Sequence, residues 1–491
     1  SGDLTVGSGA TFQPGSGSAG SSASVNGNLT LQPGANYAVN ISPSAASRAN
    51  VSGSATVNGA NVQVLGGSGN YAASTQYTIL NAAGGVGGTF DSVSSDLAFL
   101  TPSLSYDPND VYLTMQRNQA SFASVADTSN QEATGGAIES MGNTDTAHPI
   151  YAAALNLSAP QARNAFDQLS GEIHSSAQTA MVEDTRFVRD ATIDRLRDTQ
   201  GGAGTPQTAI TSGNPNESAL WFNTFGSWGA WRTDGNAGKM TRSIGGLVVG
   251  VDSPVASNAR IGVVGGYGRS NLHSQDNAAL STVNEYTLGL YGGANWGDLA
   301  LRSGAAYTWN NLSTDRRVLF PGYSDNLSNN SQAGAAQAYA ELGYGINAGG
   351  LAVEPYVNVA YVNLAKDAFV EQGGAAALVG NKTNTDTTTT TLGVHASTNF
   401  DLGNASAKLK ATLGWRRAFD DLVPQTMQAF ADGSSTSFMM AGVPIAKDAG
   451  VVGLGVDFAL SPETTIGVSY NGQFSKRASD NGAKVDFKMR F

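Results

Sequence analysis

Over residues 218–491 apolar and polar side chains alternate with a two-residue period, and no other property of the chain narrows its fold as far. Ile466, Val468, Tyr470 and Phe474 alternate with Gly467, Ser469, Asn471 and Gln473. Ala338, Ala340, Leu342, Tyr344 and Ile346 alternate with Tyr339, Glu341, Gly343, Gly345 and Asn347. A strand turns successive side chains to opposite faces. One face of such a strand suits lipid and the other a wet interior, which is the rule for a transmembrane β-barrel. Twelve segments of this kind start near 218, 240, 258, 281, 299, 334, 351, 388, 405, 446, 463 and 481. Each has about 23 residues with its share of loop, against ~5–6 for a strand in a soluble sheet.

Loop lengths point the same way. The connections near Pro254–Asn258, Gly297–Asp298, Asn347–Gly350, Gly403–Asn404 and Ser461–Pro462 are short. The alternate ones are mostly longer, notably Ser313–Ala333, Ala365–Thr387 and Asp420–Ile445. Short turns on one side and long loops on the other mark an outer-membrane barrel, and an even strand count puts both its ends on the short-turn side. Trp221, Trp228, Trp296, Trp309 and Trp415 lie mostly near segment ends, where an interfacial aromatic girdle belongs. A soluble β-sandwich is the competing fold, and it fails on strand length and on these aromatics.

Gly, at 61 of 491 residues, suits tightly turned β architecture. A net charge of −11 argues against a nucleic-acid partner, which needs a basic patch. Without cysteine there is no disulfide framework and no thiolate metal site. Ser1 is read as a mature or truncated end, with any secretion signal lost upstream.

Upstream of the barrel two other patterns appear. Ala177, Ala180, Met181, Asp184, Phe187, Val188 and Ala191 recur at three- and four-residue spacing, which predicts a helix. Ser158-Ala159-Pro160 is its expected start and Gly201-Gly202 its stop. Its charges, with Glu183, Arg186, Arg189, Asp190, Asp194 and Arg195 foremost, suit a polar lumen and not lipid. The expected partners on the wall are Glu341, Asn471, Gln473, Lys488 and Arg490. Residues 1–118 read as rungs of a stacked β-solenoid: Asp3–Val6, Asn28–Leu31, Ala55–Asn58 and Asn61–Val64, punctuated by Gly, Asn and Pro-Gly. Tyr77, Ile79, Phe90, Phe99 and Leu104 are its expected core. A loose Gly/Ser linker is the alternative, above all for Gly15–Ser24. The division expected is 1–118 solenoid, 119–160 connecting segment, 161–200 helix in the pore, 201–217 linker and 218–491 barrel.

The order of these parts resembles the type V autotransporters of Gram-negative bacteria. Specific stretches carry the resemblance. Phe12-Gln13-Pro14-Gly15 followed by Gly27 to Tyr37 looks like a repeat associated with passenger transport, and Tyr77-Thr78-Ile79-Leu80 with Gly85 to Phe90 looks like closing passenger rungs. Phe166 to His174 resembles the stretch before the pore helix. The closing alternation of Val485, Phe487, Met489 and Phe491 resembles the terminal signal read during barrel assembly, although Asp486 stands where Gly is frequent. The resemblance implies an all-β fold with one linker helix: a 12-stranded antiparallel barrel preceded by the end of a right-handed β-helix. It implies a translocator that sits in the outer membrane, exports and anchors its own passenger, and aids passenger folding through its last rungs. The implied partners are outer-membrane lipid and lipopolysaccharide, the barrel-assembly machinery, periplasmic chaperones and the passenger, with the barrel a monomer.

Catalytic signals are absent. His148, His174, His273 and His395 show no metal-binding spacing, and no nucleophile elbow occurs. Neither metal nor cofactor is expected, and no enzyme within these residues. Asn156 and Asn164 are candidates by residue type for self-cleavage of the linker. Two alternatives concern the region upstream of Ser1: a protease or esterase passenger, or a longer solenoid acting as an adhesin.

Overall fold

Twelve strands pair in sequence order and close on themselves. In the computed structural model, which describes residues 2–67, 71–199, 218–274, 278–402, 405–461 and 463–490, the barrel strands are β1 (Ala219–Trp231), β2 (Met240–Ala256), β3 (Ala259–Ser274), β4 (Ala279–Trp296), β5 (Leu299–Phe320) and β6 (Tyr323–Tyr344). They continue as β7 (Leu351–Lys366), β8 (Thr383–Leu402), β9 (Ala405–Asp420), β10 (Asp448–Ala459), β11 (Thr464–Phe474) and β12 (Ala478–Arg490). Every neighbouring pair is antiparallel, β6 pairs with β7, and β1 closes the wall against β12 from Ala219↔Arg490 to Trp231↔Ala478. The linker 201–217, the helix stop Gly201-Gly202, the turn Gly403-Asn404, Pro462 and Phe491 lie outside the described residues.

One of the long expected loops is not a loop. Ser313–Ala333 extends the β5–β6 hairpin, in register from Leu299↔Tyr344 to Phe320↔Tyr323 around Pro321-Gly322. Alternation continues there, but the outward residues change chemistry. Below the pair Trp309↔Gly334 the outward positions are apolar, with Tyr307 on β5 and Ala336, Ala338, Ala340 and Leu342 on β6. Above it they are Asn311, Ser313, Asp315 and Arg317, facing Gln332, Asn330, Ser328 and Asn326. Both strands switch at one height, which locates the outer edge of the apolar band. From Leu299 to Trp309 a tilted strand rises ~25 Å, the height of such a band. The remaining hairpin stands in water, so its polar outer face hid it from a reading that sought membrane strands.

Trp228, Trp309 and Trp415 sit exposed toward the outer edge and Trp296 at the inner edge. Trp221 is a correction to the expected girdle. It faces the lumen, buried, and its Nε1 donates to Tyr291 Oη at 2.6 Å.

The N-terminal part is a three-sided solenoid. Leu4–Val6, Leu29–Leu31, Ala55–Thr56 and Val86–Gly87 stack in parallel, so the short expected rungs do lie one above another. Phe12 pairs with Tyr37, and Phe12 and Phe90 each lie 5.8 Å from the Tyr37 ring. Tyr37 is fully buried and spans rungs, donating to Ile79 O at 2.5 Å and accepting from Ala49 N at 3.1 Å. Burial pushes its hydroxyl pKa up, so it remains a donor. Gly15–Ser24 forms a turn leading into the strand Ser22–Val25, not a loose linker. The antiparallel hairpin Leu100–Tyr106/Asp110–Arg117 covers the last rung through Ser74–Ala82.

Between solenoid and pore the chain is helical: α1 (Ser129–Met141), α2 (Pro149–Ala154) and α3 (Ala159–Leu169). The single helix expected over 161–200 is therefore divided. The capping box of Ser158 and Gln161 starts α3 at the expected place. Ser170–Glu172 then breaks it, with Gly171 at φ +64°, where a Cβ would stand 2.3 Å from Leu378 Cδ1. After this turn α4 (Ile173–Asp184) and α5 (Arg186–Thr199) run down the lumen, meeting at Thr185.

The polarity switch on β6 gives a direct test. Ala338→Arg, mid-band and facing lipid, should destabilise the barrel by ~2–4 kcal/mol, and Gln332→Arg, above the edge, by under ~1 kcal/mol. The midpoint at which the detergent-solubilised chain loses its unheated gel mobility measures both. Equal effects would contradict the placement of the outer edge.

Candidate functional site: the plugged lumen

The lumen is built from the inward half of each strand, and that half is polar and charged. Arg242 lies between Met240 and Ile244 on the inward register of β2, as Arg302 does on β5 and Arg416 on β9. An isolated ion at such depth is strongly unfavourable, and pairing relieves most of that. The partners come from α4 and α5 and, for Arg302, from the wall itself.

At the outer mouth the helix joins the loops. Glu371 accepts from Arg316 at 2.7 Å on both oxygens and meets His174 Nε2 at 2.7 Å. Burial alone would raise the Glu371 pKa, but Arg316 and His174 overcome it and hold the carboxyl down at about 2. The His174 ring stacks on Phe369 at 3.9 Å. Ser175 Oγ donates to Met440 O at 2.8 Å, and a Cβ on Gly442 would fall 2.5 Å from the Ser175 carbonyl carbon, so loop and helix backbones touch.

Further in, Arg416 grips Glu183 through two bonds of 2.5 and 3.0 Å. Arg186 donates to Asp480 at 2.7 Å, and Arg242 bridges Asp184 and Asp480. Where the helix breaks, Gln337 Nε2 donates to the Thr185 carbonyl at 3.0 Å and Gln337 Oε1 accepts from Arg189 at 3.4 Å. One side of α5 is apolar: Phe187, Val188, Ala191 and Leu196 pack on Phe225, Ile244 and Val264. Gly266 permits this approach, since its Cβ would lie 3.2 Å from Val188.

At the inner end Arg195 holds Asp252 through bonds of 2.7 and 3.0 Å, and Asp252 also accepts from Arg260 and Tyr291 at 2.8 Å each. Arg197 meets Glu341 at 3.3 Å, and Asp198 pairs with Lys488. Asp194 lies 3.6 Å from Lys484. Asp190 is half-exposed beside Arg189.

All six helix residues expected in the pore therefore lie there. Of the expected wall partners, Glu341 and Lys488 meet the helix. Asn471 bonds to Ser469 instead, Gln473 lines a small cavity beside Arg186, and the Arg490 side chain is outside the described residues. Among the charged wall residues missed from sequence are Arg242, Asp252, Arg416, Asp480 and Lys484. The signal that could have found them is a charged residue on the inward register of an otherwise apolar-outward strand.

Glu341, Glu354 and His395 have the donor types of a metal site. Arg302, wholly buried, already bonds Glu354 at 2.6 and 3.0 Å and Glu341 at 3.0 Å. The cation between these carboxylates is a guanidinium. Asn156 and Asn164, the self-cleavage candidates, lie at α2 and α3 outside the barrel.

The other expected residues fall as follows. Val485 and Met489 point outward, and Phe487 stacks on Phe222 at 4.9 Å across the β1–β12 seam. Tyr77, Ile79 and Phe90 are buried in the solenoid core, with Leu104 packed against it. Phe99 is buried in a different cluster, edge-on to Phe122 at 4.6 Å.

Residues 220–471 match the family described as "Autotransporter beta-domain". The chain belongs to this family. Its barrel is thus an autotransporter translocator domain of the outer membrane. Two curated relatives from Serratia marcescens, each described as an extracellular serine protease, are 30% identical over 455 residues and 28% over 454, covering 85% and 84% of this chain. The chain spans 43% of the length of each. The translocator domain of autotransporter NalP from Neisseria meningitidis has the same fold, at a TM-score of 0.50 and 21% identity, covering 65% of this chain and 99% of that one.

The lumen's pairing can be tested by halves. Arg416→Met strands Glu183 and should cost this autotransporter ~3–5 kcal/mol. Adding Glu183→Met should recover most of that loss, read as the thermal midpoint of the gel-mobility shift. A double variant no better than the single would mean that packing, not charge, holds the helix there.

Proposed function

We propose that α4–α5 seal the translocator after export and that the solenoid end is the template on which the exported passenger folds. The observation that carries this is the path of the chain. The solenoid and α1–α3 lie at the long-loop mouth, and the helix runs from there to the inner end, where Asp198 meets Lys488 three residues from Phe491. A chain exported C-terminal part first ends in this arrangement. Cavities of about 50, 40 and 20 Å³ beside the helix hold a water or two each, which supports a seal. In this reading residues 1–118 are the passenger end, 119–160 a connecting segment, 161–200 the linker into the pore and 218–491 the translocator.

The outward Val485 and Met489, with Phe487 at the seam and Phe491 beyond it, make the last strand the part read by the barrel-assembly machinery. Periplasmic chaperones would keep the unfolded barrel soluble on the way, and lipid and lipopolysaccharide would surround a monomer. The Serratia relatives favour a serine protease upstream over an adhesin.

Removing residues 1–200 should raise single-channel conductance in planar bilayers well above that of the complete chain. Equal conductance would reject the seal. Phe90→Ala, in the rung core, should cost ~3–5 kcal/mol. It should leave the barrel inserted while making the exported passenger sensitive to added protease, and a passenger as resistant as the wild type would reject the template.

A further inference from the structure

The outer end of the molecule holds an interface that neither sealing nor rung stacking requires. Residues 119–169 are not a spacer. Their helices share one buried apolar cluster with the barrel's outer loops, in which Phe122, Ile138 and Met141 join Phe430, Phe438 and Met440. Those loops form a small sheet of their own, from Phe369–Val370, Leu378–Gly380, Gln425–Phe430 and Phe438–Ala441, and α1 packs on its last strand.

The polar contacts of α1 are specific. The Asn130 side chain behaves as a missing strand would toward Ala441, donating to its carbonyl at 2.9 Å and accepting from its N–H at 3.1 Å. Asn236, in the β1–β2 loop, accepts from Asn130 N at 2.8 Å and donates to Asn130 Oδ1 at 3.1 Å. Gln131 Nε2 donates to both oxygens of Asp167 on α3, at 3.1 and 3.0 Å. Ser140 Oγ accepts from Thr436 N at 2.9 Å. An amide that pairs with both backbone groups of one residue tolerates little sliding, so the interface has a defined register.

The solenoid is fastened to the same helix. Arg117, at the end of its covering hairpin, donates to both carboxylate oxygens of Glu139 at 3.0 and 3.2 Å and to Ala120 O at 2.6 Å. Its guanidinium lies over the Phe99 and Phe122 rings at 5.7 and 5.2 Å. What holds α1 therefore holds the solenoid. The link from α1 to α2 is by contrast exposed from Asn143 to Ala147.

We infer that the outer loop sheet, together with α2 and α3, is a receptor for the chain's own segment 119–143, and that this docking retains the surface part without covalent continuity. A cut in the exposed link leaves the solenoid seated. The contacts join exported residues to loops at the outer mouth, so they form only after the segment has left the pore. The inference rests on the export reading only for which side of the membrane this face occupies.

The test uses the full chain, purified in detergent, with a site-specific protease sequence inserted between Asn143 and Thr144. After cleavage to completion, judged on a denaturing gel, the 1–143 fragment should co-elute with the barrel in gel filtration. Phe438→Asp places a charge among the cluster's rings, and Asn130→Ala removes the amide pairing. Phe438→Asp should weaken retention roughly tenfold or more, and Asn130→Ala should act in the same direction. Unheated gel mobility checks that each barrel is folded, and Asn130→Ala carries the test if Phe438→Asp fails that check. A wild-type fragment that elutes alone overturns the inference, as does retention unchanged in the folded variants. Intact cells whose inserted site resists added protease would count against the export reading and leave the purified result untouched.

Discussion

A bilayer offers no hydrogen-bond partner to a backbone N–H or C=O, so every strand of the barrel must be paired on both edges. The seam between β1 and β12 meets that condition, and the rest of the structure depends on it. Once the wall is closed, the two-residue alternation has only one arrangement: apolar residues outward, polar ones inward. Phe222 and Phe487 stack across the seam on the lipid side, while Asn223 donates to Asp486 at 2.6 Å on the other. The closing pair is thus specified by side chains on both faces as well as by the backbone.

Closure creates the second condition. A lumen lined by Arg242, Arg302, Arg416, Asp252 and Asp480 is stable only if each charge is answered. Some answers come from the wall itself, as Arg302 with Glu354, and others need the helix, as Arg416 with Glu183. A helix as charged as α5 would not suit lipid. Here its acidic and basic residues fall at the heights where the wall carries the opposite sign. Most apolar residues of α5 lean on the β1–β4 side, where Gly266 leaves room for Val188, while Ile193 packs on Tyr339 and Ala360 of β6 and β7.

The strand pattern was legible because period-two alternation survives whatever lies on either side of it. Eleven of the twelve segments read from sequence begin within a few residues of a strand, the exception being the one expected near 334, where β6 begins at Tyr323. That strand was cut short because its outward residues turn polar above Trp309, and polarity on both faces resembles a loop. Trp221 was misplaced for a related reason. Its residue type suggests the interface, but its register, opposite to that of Leu220 and Phe222, turns it inward. The break at Gly171 was hidden because helical spacing on either side is good, and only the nearness of Leu378 demands the turn.

Local periodicity and residue chemistry, both carried by neighbours in the chain, were enough to determine a twelve-stranded membrane barrel, a helix too charged for lipid and a stack of short rungs ahead of them. Which charges meet was decided only in three dimensions, because Arg186 and Asp480 are 294 residues apart and nothing local marks either for the other. The cap was decided there too. Asn130 and Ala441 are 311 residues apart, and α1 has a reason to sit where it does only once the loops are folded beneath it. Alternation records which side of a strand a residue takes, but a partner across the lumen is set by strand tilt and register around the whole closed wall.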